Sequence, residues 1–169
     1  SSLVEVQLVP ELFAPRAQEA ARHSERRDST ATGQWRLALD LHGDALRVTD
    51  PVPMLLSQLQ QVSGLDAHRC VLYTVLSELY SNALDHGVLQ LNSRLKDEPN
   101  GFERYLQARE QQLASLSDGW VAIKIVCSRW PHGGQLTVET EDSGAGFDWH
   151  ALPTDVPTSG AHGRGLHLI

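Results

Sequence analysis

Three short clusters far apart in the chain constrain its fold more than any other feature: Glu78-x-x-x-Asn82-Ala83-x-x-His86-Gly87, then Asp142-x-Gly144-x-Gly146, then Gly163-Arg164-Gly165-Leu166. In the first, Glu78, Asn82 and His86 step by four residues, so on a regular helix they drift round one flank by about 80°. The apolar residues Val71, Leu72, Val75, Leu76, Leu79 and Ala83 form a stripe whose edge overlaps that flank. The polar set is therefore expected on the shoulder of a buried helix, opened by Asp66 and stopped by Gly87. Oxygen donors at such a margin suit a hard cation that keeps waters and shares substrate phosphates, which makes Asn82 the natural Mg²⁺ ligand. Glu78, one turn earlier, stands where it can accept or orient the proton of an attacking hydroxyl. His86 has two open readings, a backbone-carbonyl contact at the helix end or a phosphate contact, and Asp85 projects elsewhere on the helix.

The second cluster follows the alternating stretch Gln135 to Glu141, a strand with Leu136, Val138 and Thr140 on one face and Asp142 just past its end. A carboxylate there accepts a hydrogen bond from the exocyclic amine of adenine, whereas guanine presents a carbonyl and repels it. Gly144 and Gly146 remove Cβ atoms where backbone and base approach. In the third cluster the glycines lead into Leu166 to Ile169, a helix start whose free N–H groups hold phosphate oxygens beside Arg164. The three pieces together describe a site for ATP.

On these residues the chain resembles the GHKL, or Bergerat-fold, ATPases. Within them it looks most like the bacterial anti-sigma-factor serine kinases, in the form fused behind a response-regulator receiver and a metal-dependent serine phosphatase. The likeness covers roughly residues 34 to 169. The resemblance implies Glu78 as base, Asn82 as the Mg²⁺ ligand and Asp142 as the adenine contact, with His86, Gly144, Gly146, Gly163, Arg164, Gly165 and Leu166 lining the nucleotide site. It also implies homodimerisation, and a final helix and strand that continue beyond Ile169.

Composition agrees. The 169 residues, 41% of them hydrophobic, are enough for one sizeable core. A formal charge of −7 with no basic stripe argues against general nucleic-acid binding. Cys70 and Cys127 have no Cys-x-x-Cys spacing, His162 and His167 belong to no metal-like constellation, and free thiols in a cytoplasmic protein are the simplest account. There is no signal peptide and no apolar run of about 18 residues, so neither secretion nor a membrane span is expected.

The expected organisation places the end of a phosphatase-like domain and a linker at residues 1–33, with a short strand at Ser2 to Val6 and charged linker chemistry from Arg16 to Thr32. The kinase domain then runs from 34 to 169. A strand from Trp35 to Leu41 is expected to turn at Gly43-Asp44 into Leu46 to Val48. Asp50 or Thr49 caps the next helix, with Pro51 in its first turn and Met54 to Val62 continuing it. An insertion at 94–117 carries Phe102, Tyr105, Leu106, Leu113 and Leu116 at helical spacing, read either as a cover or dimer contact or as a docking surface for the phosphatase or a protein substrate. Trp120 to Val126 is a central strand paired with Leu136 to Glu141 through Pro131-His132-Gly133-Gly134, and 147–161 is a lid over the nucleotide.

The expected fold is α+β, an α/β sandwich of Bergerat type: a mixed, mainly antiparallel sheet with helices on one face and an ATP lid. The expected function is ATP-dependent protein-serine kinase activity toward a small anti-sigma-antagonist (STAS-like) protein in a bacterial partner-switching pathway. The alternatives are a non-catalytic ATP-binding sequestration switch and the catalytic domain of a histidine kinase. The last is disfavoured because no His-Glu or His-Asp pair lies on an amphipathic hairpin to receive phosphate.

Overall fold

Alternating apolar residues in three long stretches dictate a sheet with one buried face, and helical periodicity between them dictates what covers it. The computed structural model describes residues 3–8, 33–62, 65–130 and 133–146. Its strands are β1 (Leu3–Leu8), β2 (Gly33–His42), β3 (Trp120–Trp130) and β4 (Gly133–Asp142), and its helices α1 (Asp44–Val48), α2 (Pro51–Leu59), α3 (Arg69–Ser81) and α4 (Gly101–Ser115). The strands form one sheet in the order β1-β4-β3-β2, and every pairing is antiparallel among the described residues, where a mixed sheet was expected. The architecture is α+β.

Along β3, Val121, Ile123, Ile125 and Cys127 are buried, while Ala122, Lys124, Val126 and Ser128 between them are half-buried. Leu136, Val138, Thr140 and Asp142 continue the buried face on β4. The apolar run of β3 is thus covered on one face, by α2, α3 and the turns that follow, whose Leu55, Leu59, Leu72, Leu76 and Leu84 are nearly inaccessible. Burying one such leucine contributes about 1.5–3 kcal/mol. The segment expected to end a preceding domain supplies β1, which lies against β4 with Val6 opposite Val138. The linker at 9–32 and the turn residues Pro131 and His132 lie outside the described residues.

Several local expectations are met by their physical causes. The Asp50 side chain accepts the Val52 N–H at 3.1 Å and so caps α2, with Pro51 at its first position. The β3–β4 hairpin forms as expected, but its strands run further toward the turn, so Gly133 and Gly134, expected in the turn, pair with Trp130 and Arg129 as the start of β4. The insertion is helical, as a 3-10 turn (Ser93–Asp97) followed by α4.

Others are corrected. Leu46 to Val48 is not a strand: it belongs to α1, which buries Leu46, exposes Val48 and is tied by Arg47 to Asp44 and to the Ala114 carbonyl. Strand β2 pairs instead with β3, whose ten consecutive partners outcompete a three-residue hairpin arm. Val71 is half-exposed rather than part of the stripe, and Tyr80 and Leu84 take its place in the core. In α4 only Tyr105 of the apolar set is buried, with Phe102 and Leu106 exposed.

Candidate functional site

The motif helix begins as a 3-10 turn at Asp66–His68, runs as α3 to Ser81 and then widens into a π-helical segment, Asn82–Val88. Such widened turns are uncommon and collect at functional sites. The Leu89 N–H bonds the Leu84 carbonyl at 2.8 Å and the Leu91 N–H bonds the Asp85 carbonyl at 2.7 Å, so the chain is underwound where the motif ends. The four-residue steps therefore keep Glu78 and Asn82 in α-helical register, both half-buried, but not His86. The His86 side chain is exposed, and its Nδ1 lies 2.8 Å from the Leu91 carbonyl oxygen. It thus serves the backbone-carbonyl role.

Gly87 is not the helix stop that its position suggested. The π segment runs through it, and the residue in the left-handed region is Gln90, with φ 52°. The reason for glycine lies across the site: a Cβ on Gly87 would sit 2.4 Å from Asp142 Oδ1 and 2.8 Å from Oδ2. Asp142 is the last residue of β4 rather than just beyond it, only 3% exposed, and its Oδ1 accepts the Gly144 N–H at 2.8 Å. A Cβ on Gly144 would in turn lie 2.5 Å from the Gly87 carbonyl oxygen. The carboxylate is wedged between two glycine backbones from the first two clusters, and Gly146 follows with φ 80°. The Ser143 N–H and hydroxyl bond the Trp120 backbone at 3.0 and 3.1 Å, fixing this loop to the start of β3.

Of the expected site residues, the structure brings Gly87 against Asp142 and Gly144, with Glu78 and Asn82 earlier on the same helical run and Gly146 two residues after Gly144. Gly163, Arg164, Gly165 and Leu166, with the expected lid, lie outside the described residues.

Two groups escaped sequence reasoning. Thr140, one strand step before Asp142 on the same face, is 3% exposed, and its hydroxyl has no hydrogen-bond partner among the described residues. A buried unpaired hydroxyl costs about 1–3 kcal/mol, which a polar ligand or water beside Asp142 would recover. The signal was available: a threonine and an aspartate end an otherwise apolar face. The second is Asp85, 8% exposed, which accepts from the Tyr105 hydroxyl at 3.0 Å and from Arg109 Nε at 2.7 Å.

The donor set fits Mg²⁺ and adenine nucleotide in kind. Asn82 offers a carboxamide oxygen at a half-buried margin and Asp142 a buried acceptor, and the two glycines let their backbones close on Asp142 where a Cβ has no room. Among the described residues no three His, Cys, Asp or Glu side chains gather as a protein-only metal cage. Cys127 is buried, which pushes its thiol up and leaves it unreactive.

Two grooves lie elsewhere on the helical layer. One of about 670 Å³ is lined by Leu56, Gln60, Arg69 and Tyr73, and the other, of about 490 Å³, by Asp50, Ser77, Tyr80 and Arg109. Neither includes Asn82 or Asp142.

No protein-family model, no curated protein and no solved structure matches this chain. No described helix is long and apolar enough to cross a membrane.

Proposed function

We propose that this chain is a Bergerat-type, ATP-dependent protein-serine kinase of the anti-sigma-factor kind, acting on a small STAS-like antagonist protein. The observation that carries the reading is the Asp142 carboxylate, buried at a strand end and pressed against Gly87 of the motif helix. A buried carboxylate in close-packed backbone is costly unless it is hydrogen-bonded, and one that faces a nucleobase earns selectivity for adenine over guanine. Support also comes from Glu78 on α3 and Asn82 at its C-terminal cap, held one helical turn apart, and from the Thr140 hydroxyl, unsatisfied among the described residues, on the same strand face as Asp142.

In the proposed reaction Glu78 takes the proton of the partner's serine hydroxyl as its oxygen attacks the γ-phosphorus. A serine O–P bond forms, the bond to the β,γ-bridging oxygen breaks, and ADP leaves. Asn82 would hold Mg²⁺, which would supply neutralisation of phosphate charge. Asp142 holds the base, which fixes the phosphates relative to Glu78. The phosphoserine product carries about −1.5 to −2 charges, which weakens the partner's docking elsewhere in the pathway.

Asp142→Asn tests the carrying observation. An amide can turn a donor toward guanine's carbonyl, so ATP affinity should fall and discrimination against GTP should shrink. Calorimetric titration with both nucleotides reads this directly, and parental ATP affinity in the variant would remove Asp142 from the adenine role. Asn82→Ala should abolish the Mg²⁺-dependent part of ATP binding. Equal strengthening by Mg²⁺ in variant and parent would defeat the coordination claim.

A further inference from the structure

The insertion was expected to be a cover or dimer contact, or a docking surface, yet a part-buried polar contact lies beneath it. Tyr105 and Arg109 sit one turn apart on α4 and so share a face. Both reach Asp85, the Tyr105 hydroxyl donating to Oδ2 at 3.0 Å and Arg109 Nε donating to Oδ1 at 2.7 Å. The Asp85 side chain is 11% exposed and that of Arg109 35%. Lys96, from the 3-10 turn of the insertion, stands 4.0 Å over the Tyr105 ring. Burial first, and then the Asp85 carboxylate, hold the Tyr105 phenol above its ordinary value, so it remains a donor throughout the physiological range.

Asp85 lies inside the π segment, three residues after Asn82 and two before Gly87. Its own carbonyl accepts the Leu91 N–H that closes the segment. A π segment is a rare alternative to the α-helix and persists where outside contacts favour it. If 82–88 rewound to α-helix, Asn82 and Gly87 would turn relative to each other, and Gly87 would leave Asp142. The two bonds from α4 to Asp85 are side-chain contacts that fasten this register from outside the helix.

We infer that Asp85 is a positioning residue through which α4 holds Asn82 and Gly87 in register for Mg-nucleotide. This rests on the proposed ATP site for its functional half, while its structural half stands on the π segment alone. The insertion then acts on the site through the motif helix, without touching nucleotide.

The test uses Tyr105→Phe, Arg109→Met and Asp85→Asn in this chain, with Arg104→Ala as control, because Arg104 pairs with Glu98 within the insertion. Two readouts are taken on each folded variant: amide exchange at Leu89 and Leu91 without nucleotide, and ATP affinity with and without Mg²⁺. The three Asp85-directed variants should speed exchange at Leu89 and Leu91 and weaken Mg-ATP binding by about tenfold, within the usual range for coupled sites. Binding of ATP without Mg²⁺ should change by less than about threefold, because the adenine contact stays with β4. The control should leave all of these at parental values. Unchanged exchange at Leu89 and Leu91 overturns the inference whatever ATP does, and so does an equal effect from Arg104→Ala, which would mark general loosening. Faster exchange with parental Mg-ATP affinity overturns the positioning role. If the parent binds no Mg-ATP, the kinase proposal fails by itself and the exchange data alone decide the clamp.

Discussion

Glu78→Gln is expected to reduce phosphoryl transfer by about 10²- to 10⁴-fold, the usual contribution of a general base, while Mg-ATP affinity stays within about twofold of the parent. The substitution keeps the volume and most of the hydrogen bonding of a half-buried side chain on α3 and removes only the charge proposed to take the serine proton. Single-turnover phosphorylation of the cognate serine-bearing partner at saturating Mg-ATP separates the two effects. A residual rate within a few-fold of the parent is incompatible with the role. If affinity and transfer fall together, Glu78 belongs to binding or structure, and a non-catalytic sequestration switch becomes the better reading.

Gly87→Ala should damage both stability and nucleotide binding. Its Cβ would come within 2.4 Å of Asp142 Oδ1 and 2.5 Å of Cγ, closer than real Cβ contacts allow, and the carboxylate is held by the Gly144 N–H. Either Asp142 leaves its place or the π segment lifts from β4. Overpacking of this kind costs about 1–3 kcal/mol, which lowers Tm by about 2–10 °C in a chain of this size. ATP affinity should drop by at least about tenfold, since the displaced group is the proposed base contact. Gly144→Ala, which drives its Cβ to 2.5 Å from the Gly87 carbonyl oxygen, should behave alike from the opposite side. A thermal melt and an ATP titration on each variant are sufficient. Parental values of both for Gly87→Ala would show that the two backbones do not meet as described.

Much of this was legible because it is local. The Asp50 cap, the β3–β4 hairpin and the run of α3 follow from side-chain chemistry within a few residues, or from periods of two and 3.6. Glu78 and Asn82 were legible as a pair because one α-helical turn separates them. What was not legible depends on partners distant in sequence. The short apolar stretch at Leu46–Val48 fits either a strand or a helix, and β3 settled the matter by pairing with β2. The π segment follows from bonds to Leu89 and Leu91 and from an aspartate whose partners lie 20 and 24 residues on. Gly87 read as a helix stop because glycine serves two ends, left-handed backbone and close approach, and only the position of Asp142 tells them apart.

The pairing of β1 with β4 has a kinetic consequence. Leu8 faces Leu136 and Leu3 faces Glu141, so this edge closes a loop spanning nearly the whole chain, whereas β3 and β4 are joined by a tight connection. Loop-closure entropy makes the hairpin the early event and the arrival of β1 a late one. In refolding, protection of the β4 amides that face β1 should lag behind that of the amides facing β3. Until β1 docks, the strand that carries Thr140 and Asp142 is an open edge, and the nascent site is assembled on the last part of the sheet to be completed.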